Sequence, residues 1–599
     1  MKSVIVALSV LFFASQSLAL DLLQNAPGRQ QTSLNGQWNA IVDPFDVGDK
    51  RKFQNFDGTP PADKLQEFNF DSAMKLSVPG DWNTQDDKLF WYEGSVWYEK
   101  SFDHQVKPGK EYMLYFDAVN YLASVYLNGT LLGKHEGGFT PFQFKATDAL
   151  KDGKNVLVVK VNNRREPDFI PTMSTDWWNY GGITRPVRLI ELSPTYIQDY
   201  SFTYKKGGTI AVSVTVTGES PAKQKVDIAL PQLGISKRLT TDATGKASLT
   251  FKAKPELWTP ESPTLYSALL TLGDQTLTDK IGFRTIEVDG DKMLLNGKPV
   301  FLRGIAIHEE KPFSDGRAWS EEEARVLLGW AKELGSNYVR FAHYPHNENM
   351  LRVADELGLM VWAEIPVYWD IQFDNPEVLA KAKQQFGEML FRDKNRAAVI
   401  LWSIANETPN TEVRTAFLTE LADTVRTTDP TRLVTAAINT QTTTDSGRII
   451  DEALAGVVDV IGINSYCGWY YDKPETCAQY KWQSAYNKPI IISEFGAGAL
   501  QGWEGDENTF FSEAYQLRVF KQNLIMLDNM PHLAGVSPWL LKDFRAARRP
   551  LAGVQDYWIR KGLLSDQGIK KQVWYLMQCG TSCKTGMPKS SESTNGRVA

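Results

Sequence analysis

The sequence is poor in the residues that mark several common functions. Only four cysteines and six histidines occur in 599 residues, and the cysteines (Cys467, Cys477, Cys579 and Cys583) all lie late in the chain. No histidine forms a tight cluster with them, which argues against a zinc site, and the sequence demands no metal or organic cofactor. Basic charge is not in excess: Lys and Arg number 65 against 71 Asp and Glu, for a formal charge of -6. A nucleic-acid partner is excluded from the reading, because phosphate-binding surfaces carry a positive patch and none is found. Long apolar runs are missing too. After the first residues no stretch approaches the roughly 20 apolar residues that a membrane helix needs.

The apolar run that does exist is short and N-terminal. "MKSVIVALSVLFFASQSLA" has Lys2, an apolar stretch from Val4 to Ala14 and a small-x-small ending at Ser17 and Ala19, the pattern of a secretory signal peptide. Residues 1–19 are therefore expected to be removed, the mature chain to begin near Leu20, and the protein to be exported to the periplasm or secreted. No cysteine follows the cleavage region, so a lipid anchor is not indicated. In an oxidising compartment Cys467 with Cys477 and Cys579 with Cys583 are candidate staples, one of the three connectivities that four cysteines allow. The polar tail 581–599 is expected to be disordered. Oligomeric state stays open, a homo-oligomer included.

A chain of 599 residues is too long for one core, so several domains are expected. From about 20 to 195 short alternating segments such as "YMLYFDAV", "ASVYLNGTLLG" and "NVLVVKVNN" are separated by turn residues, which implies antiparallel sheets. Within "LNGT", Asn128 and Gly129 mark a hairpin turn. Residues 196–286, with "TIAVSVTVTG" and "YSALLTL", form a more compact set of the size of an immunoglobulin-like sandwich. The 18 tryptophans and the 12% aromatic content allow stacking surfaces for flat apolar faces, sugar rings among them.

After residue 287 strands begin to alternate with helices. "SEEEARVLLGWAKELG" is the clearest helix, with Ser320 and Glu323 as a capping box and Gly335 as its C-terminal stop. Short apolar strands lie near 301–305, 337–341, 359–365, 398–404, 432–437, 457–463, 489–494 and 533–540. Eight strands alternating with helical patterns over 287–580 predict a (β/α)8 barrel, whose chemistry sits at the C-terminal ends of its strands. "VILWSIANE" runs directly from the fourth strand into Glu407, and "PIIISEFG" from the seventh into Glu494, the other strand taken to end on a carboxylate. Two carboxylates facing each other across a barrel mouth can divide acid and base work in glycoside hydrolysis.

On these residues the chain resembles glycoside hydrolase family 2, the group of β-galactosidases, β-glucuronidases and β-mannosidases, over nearly the whole mature length. The resemblance implies a jelly-roll, sugar-binding-like β-sandwich (20–195), an immunoglobulin-like β-sandwich (196–286) and a catalytic TIM barrel (287–580). It also implies a retaining, exo-acting β-glycosidase acting on an oligosaccharide or other glycoside. "SIANE" is similar to the family's acid/base motif, which implies Glu407 as acid/base, and "ISEFGA" to its nucleophile motif, which implies Glu494. Asn406 then becomes a donor to the sugar 2-hydroxyl. "FLRGIAIHEE" implicates His308 as a sugar-hydroxyl contact, and "NYVRFAHYP" implicates Arg340, whose fork suits a carboxylate. "INSYCGWYY" offers Tyr466, "VSPWLLKDF" offers Trp539 as a floor for the ring, and "TDWWNYGGITRPV" offers Asp176.

Size and domain order are most similar to the β-glucuronidases of the family. Those enzymes hold the sugar carboxylate with an Asn-x-Lys element, and here "YWIRKGLLS" keeps Lys561 but has Ile559 at the Asn position. Arg560, Arg545, Arg548 and Arg549 lie nearby in sequence and are candidate sources of the missing contact. The alternatives are a neutral β-glycoside such as a galactoside, a different uronic acid or an arabinoside. A non-catalytic carbohydrate-binding protein on a degenerate glycosidase scaffold is the alternative of a different class, and the presence of both carboxylates argues against it.

Overall fold

The computed structural model describes residues 22–55, 69–439, 441–444 and 447–580. The expected leader, the tail, Cys583 and the Cys579 side chain lie outside the described residues. Among the described residues no helix is long and apolar enough to cross a membrane.

The N-terminal domain packs two antiparallel sheets face to face. The six-stranded sheet runs in the order Met74–Val78, Gly36–Asp43, Ser95–His104, Gly153–Asn162, Leu122–Leu127, Thr130–Glu136. The four-stranded sheet runs Gln31–Ser33, Val187–Leu192, Glu111–Phe116, Phe142–Lys145. Alternate residues of both sheets, Trp38, Val96, Leu114 and Leu189 among them, meet in one core, as a sandwich requires. The hairpin at Asn128 (φ 51°) and Gly129 (φ 82°) has both central residues in the left-handed region, the geometry whose twist matches that of the flanking strands. A second sandwich follows, with a three-stranded sheet containing Thr195–Lys205 and a four-stranded one containing Tyr266–Leu272 around Val212, Val214, Ile228 and Leu270.

The third unit is a closed barrel of eight parallel strands: Leu302–Ile307, Tyr338–Phe341, Met360–Glu364, Val399–Asn406, Leu433–Ile438, Val460–Asn464, Ile490–Glu494 and Leu533–Val536. These coincide with the eight runs read from the sequence. Strands buried on both faces need continuous apolar runs rather than alternation, and all residues of Val399–Asn406 are buried. The helix Glu321–Glu333 has the expected capping box at Ser320 and Glu323, and it buries Ala324, Leu327, Leu328 and Ala331 at helical spacing. Gly335 follows with φ 86°.

The first sandwich is fastened to the barrel mouth. Arg185, 1% exposed, donates to Glu309 Oε2 at 2.8 Å, to the Pro345 carbonyl at 2.7 Å and to the Phe139 carbonyl at 2.7 Å. A buried ion pair is tolerated only with such additional bonds. Trp177 packs edge-on against Tyr368 of the barrel, with ring centroids 4.9 Å apart. The segment that carries Asp176 is thereby held over the mouth. Cys467 and Cys477 form a disulfide that closes the loop after the sixth strand.

Candidate active site

The fourth strand leaves the core through Glu407, whose φ is 51°. A left-handed non-glycine residue costs on the order of 1–3 kcal/mol and marks a site that the surroundings enforce. Here the Glu407 N–H donates to the Ala437 carbonyl of the fifth strand at 2.8 Å. Its carboxylate accepts from Trp369 Nε1 at 3.0 Å and from Asn464 Nδ2 at 3.0 Å, both neutral donors. Burial and, second to it, the charge of Glu494 raise the Glu407 pKa above the ordinary carboxylate value. A buried carboxyl beside another carboxylate keeps its proton longer than one in water.

Glu494 closes the seventh strand in a different setting. Its Oε1 accepts from Arg340 at 2.7 Å and its Oε2 from the Tyr466 hydroxyl at 2.6 Å. Arg340 is fully buried on the second strand and also donates to Asn406 Oδ1 at 2.7 Å and to both oxygens of Glu364. Burial opposes its charge, but Glu364 and Glu494 outweigh burial and raise its pKa. Burial and then the charge of Glu494 hold the Tyr466 hydroxyl far above its usual pKa, so it stays a donor. A cation and a phenol thus bind the Glu494 carboxylate through short bonds of the charge-assisted kind.

The structure corrects one count. The third strand, Met360–Glu364, also ends on a carboxylate, which the sequence reading passed over. Glu364 accepts from Trp362 Nε1 at 2.8 Å, contacts His343 Nδ1 at 2.8 Å and pairs with Arg340 at 3.1 Å. Burial acts to raise its pKa, but Arg340 and His343 dominate and hold it at about 2. Glu364 is a buried counter-ion for Arg340 and does not line the cavity.

Glu407 and Glu494 line one cavity of about 710 Å³ together with Asp176, His343, Tyr466, Trp539 and Lys561. Three other candidates lie behind this lining. Arg340 reaches the site through Glu494. Asn406 has its oxygen bound by Arg340, while its Nδ2 is buried without a protein partner. His308 is stacked on Phe544 at 3.9 Å with Nδ1 at 3.0 Å from the Tyr344 hydroxyl, and its Nε2 is likewise buried and unpartnered. Burial, foremost, lowers the His308 pKa and keeps the ring neutral. Each such orphaned group costs about 1–3 kcal/mol.

One wall of the cavity is cationic. Lys561 Nζ donates to the Tyr470 hydroxyl at 2.7 Å and lies 4.0 Å over the Tyr466 ring. Arg549 forms a two-point pair with Asp176. Ile559 is buried in the apolar cluster with Trp177 and Phe544, so no amide replaces the Asn-x-Lys contact there. Arg545 and Arg560 are turned to other partners, Asp315 at 3.0 Å and Asp566 at 2.6 Å. Arg548 lies over the Trp369 ring at 4.9 Å. Of the four arginines, Arg549 alone lines the cavity.

Three family models match in tandem: "Glycosyl hydrolases family 2, sugar binding domain" over residues 31–193, "Glycosyl hydrolases family 2" over 195–284 and "Glycosyl hydrolases family 2, TIM barrel domain" over 286–556. The chain belongs to glycoside hydrolase family 2. It is a glycosyl hydrolase with the family's sugar-binding sandwich, immunoglobulin-like sandwich and TIM barrel. It is similar to a protein named β-glucuronidase from Paenibacillus borealis, at 28% identity over 86% of this chain and 91% of that one. A solved structure of a β-glucuronidase from an uncultured Clostridium species has a TM-score of 0.81 and 28% identity, and the match covers 92% of this chain and 98% of that one. A Ruminococcus gnavus β-glucuronidase in complex with D-glucaro-d-lactam gives 0.80 and 25% over 94% and 99%.

Within this family 2 site, sequence reasoning missed His343, Tyr368, Trp369, Asn464 and Arg448, all of which line the cavity. Asn464 was accessible, since it ends the sixth strand as Asn406 ends the fourth. His343 follows the second strand by two residues and obeys the same rule about strand ends. Trp369, with φ 56°, sits in a loop, and Arg448 lies on the short strand Gly447–Ile450 outside the barrel; neither position carries such a signal.

Proposed function

We propose that this family 2 enzyme is an exo-acting, retaining β-glycosidase that removes a terminal β-linked hexuronic acid, with glucuronic acid first, in carbohydrate catabolism. The observation that carries the reading is the unlike setting of two carboxylates on one cavity. Glu494, held by Arg340 and Tyr466, attacks the anomeric carbon. Glu407, with its raised pKa, protonates the departing oxygen. The bond from the anomeric carbon to that oxygen breaks as the bond to Glu494 forms, which leaves a glycosyl ester and an ionised Glu407. Glu407 then takes a proton from water, which attacks the same carbon and frees Glu494.

The unpartnered Asn406 Nδ2 serves the sugar 2-hydroxyl, and the unpartnered His308 Nε2 another hydroxyl. Trp539 floors the ring. Lys561 and Arg549 supply positive charge for a uronate carboxylate, and the names of the relatives support that choice of sugar. Export follows from the leader-like N-terminus, and the disulfide Cys467–Cys477 fits an oxidising compartment.

The test is hydrolysis of an aryl β-glycoside panel. Turnover of the glucuronide above the galacturonide, galactoside and mannoside is expected. A preference for a neutral glycoside would remove the uronide assignment, and inactivity of folded protein on all four would remove the catalytic one.

A further inference from the structure

The cavity has a second wall that the uronide reading leaves unused. The segment after the fifth strand supplies Asn439, Gln441, Thr443 and Arg448 to the lining. Arg448 sits on Gly447–Ile450, in a small sheet with Thr442–Thr444 and Lys481–Ser484. Its guanidinium lies 4.5 Å over the Tyr480 ring and 5.4 Å from the centre of the Tyr471 ring, and its NH2 donates to the Tyr480 hydroxyl at 3.0 Å. The neighbouring carboxylate, Asp472, is 3.5 Å away, is shared with the Tyr480 hydroxyl and does not line the cavity. Gln441 Nε2 is buried without a protein partner.

The position of this wall assigns it to the leaving group. Glu407 is bonded through its backbone to Ala437 at the end of the fifth strand, and Asn439, Gln441, Thr443 and Arg448 follow that strand in the sequence. The departing group leaves from the acid, so it leaves along this side. Lys561 is held by Tyr470 and Arg549 by Asp176, neither of which belongs to the segment after the fifth strand. Adjacent tyrosines serve the two walls: Tyr470 accepts from Lys561, and Tyr471 lies under Arg448. Both belong to the loop closed by Cys467–Cys477. A planar cation packed against two aromatic rings recognises an anion by geometry as well as charge.

We propose that Arg448, with Gln441 and Thr443, forms a subsite for an anionic leaving group, a saccharide whose carboxylate or sulfate lies next to the scissile bond. The natural substrate is then an acidic oligosaccharide carrying charge on both sides of that bond. This rests on the uronide reading above.

The experiment compares kcat/KM of wild type and Arg448→Gln on four β-glucuronides: an aryl glucuronide, a disaccharide with a neutral second sugar, one whose second sugar bears a carboxylate and one whose second sugar bears a sulfate. Wild type is expected to favour an acidic disaccharide over the neutral one by about tenfold or more at low salt, and the carboxylate and sulfate arms identify the anion. Arg448→Gln is expected to erase that ratio, and Arg448→Lys to restore part of it. Because each ratio is taken within one preparation, partial unfolding of a variant cancels. No acidic preference in wild type, or equal loss on all substrates in Arg448→Gln, overturns the subsite while an active aryl glucuronide assay leaves the uronide reading standing. An inactive aryl glucuronide assay overturns both.

Discussion

Arg340 joins the two halves of the site through one guanidinium, with NH1 2.7 Å from Glu494 Oε1 and NH2 2.7 Å from Asn406 Oδ1. The group that holds the proposed nucleophile also fixes the amide whose free nitrogen is proposed to meet the sugar. Arg340→Lys keeps the charge but not the fork. It is expected to lower kcat by about 10²–10³-fold, the scale of losing a preorganised contact. It is also expected to lower the melting temperature, because Glu364 loses its bidentate partner. A variant with wild-type kcat would remove Arg340 from the mechanism.

The raised pKa of Glu407 sets the sign of the pH dependence. Activity that needs the protonated carboxyl falls as pH rises through this pKa, which lies above the ordinary carboxylate range. Glu407→Gln should flatten that alkaline limb, cost about 10²–10⁴-fold in kcat/KM on substrates with poor leaving groups and spare kcat/KM of a dinitrophenyl glycoside, whose kcat falls because the glycosyl ester loses its general base. The unfolded chain holds fewer protons at this site in the window between the two pKa values, so the site loses stability as pH rises there. Glu407→Gln is therefore expected to melt higher than wild type at neutral pH, and a lower melting point would contradict the assigned shift.

Lys561 and Arg549 line the cavity where the Asn at 559 is replaced by Ile, and Arg549 is already paired with Asp176. Lys561→Ala should reduce kcat/KM for an aryl uronide at least about tenfold more than for the matching neutral glycoside, as loss of one charge-assisted contact implies. Equal losses on the two would deny Lys561 a role in reading the carboxylate.

The disulfide Cys467–Cys477 closes a loop with a sequence separation of 10, directly after Tyr466. Replacing both cysteines by serine should cost about 2–3 kcal/mol of stability by the loop-entropy account. Activity should fall with it, since Tyr466 loses its anchored neighbour. Identical melting with and without reductant would show the staple to be idle.

Much of this was legible in the sequence because the signals are local. Eight runs of apolar residues gave the barrel, and the capping box at Ser320 and Glu323 and the pair Asn128–Gly129 gave a helix start and a hairpin. Glu407 and Glu494 stood out because a charge at the end of an apolar strand needs a reason. The failures share a cause as well. Glu364 has the same local signature as Glu494, and only contacts across the barrel, with Arg340 and His343, separate a fixed counter-ion from a group on the cavity. The Asp176–Arg549 pair spans 373 residues, and the partners of Arg545 and Arg560 decide that those charges point elsewhere. Such choices depend on which side chains meet, and chain spacing does not carry that information.

The most direct test of the double displacement is the configuration of a rescued product. Glu494→Gly should be nearly inactive on an aryl β-glucuronide, and azide should restore turnover by entering the space the carboxylate leaves. One displacement inverts the anomeric centre, so proton NMR is expected to show the α-glycosyl azide. A β-glycosyl azide would mean that the carboxylate at 494 is not the nucleophile.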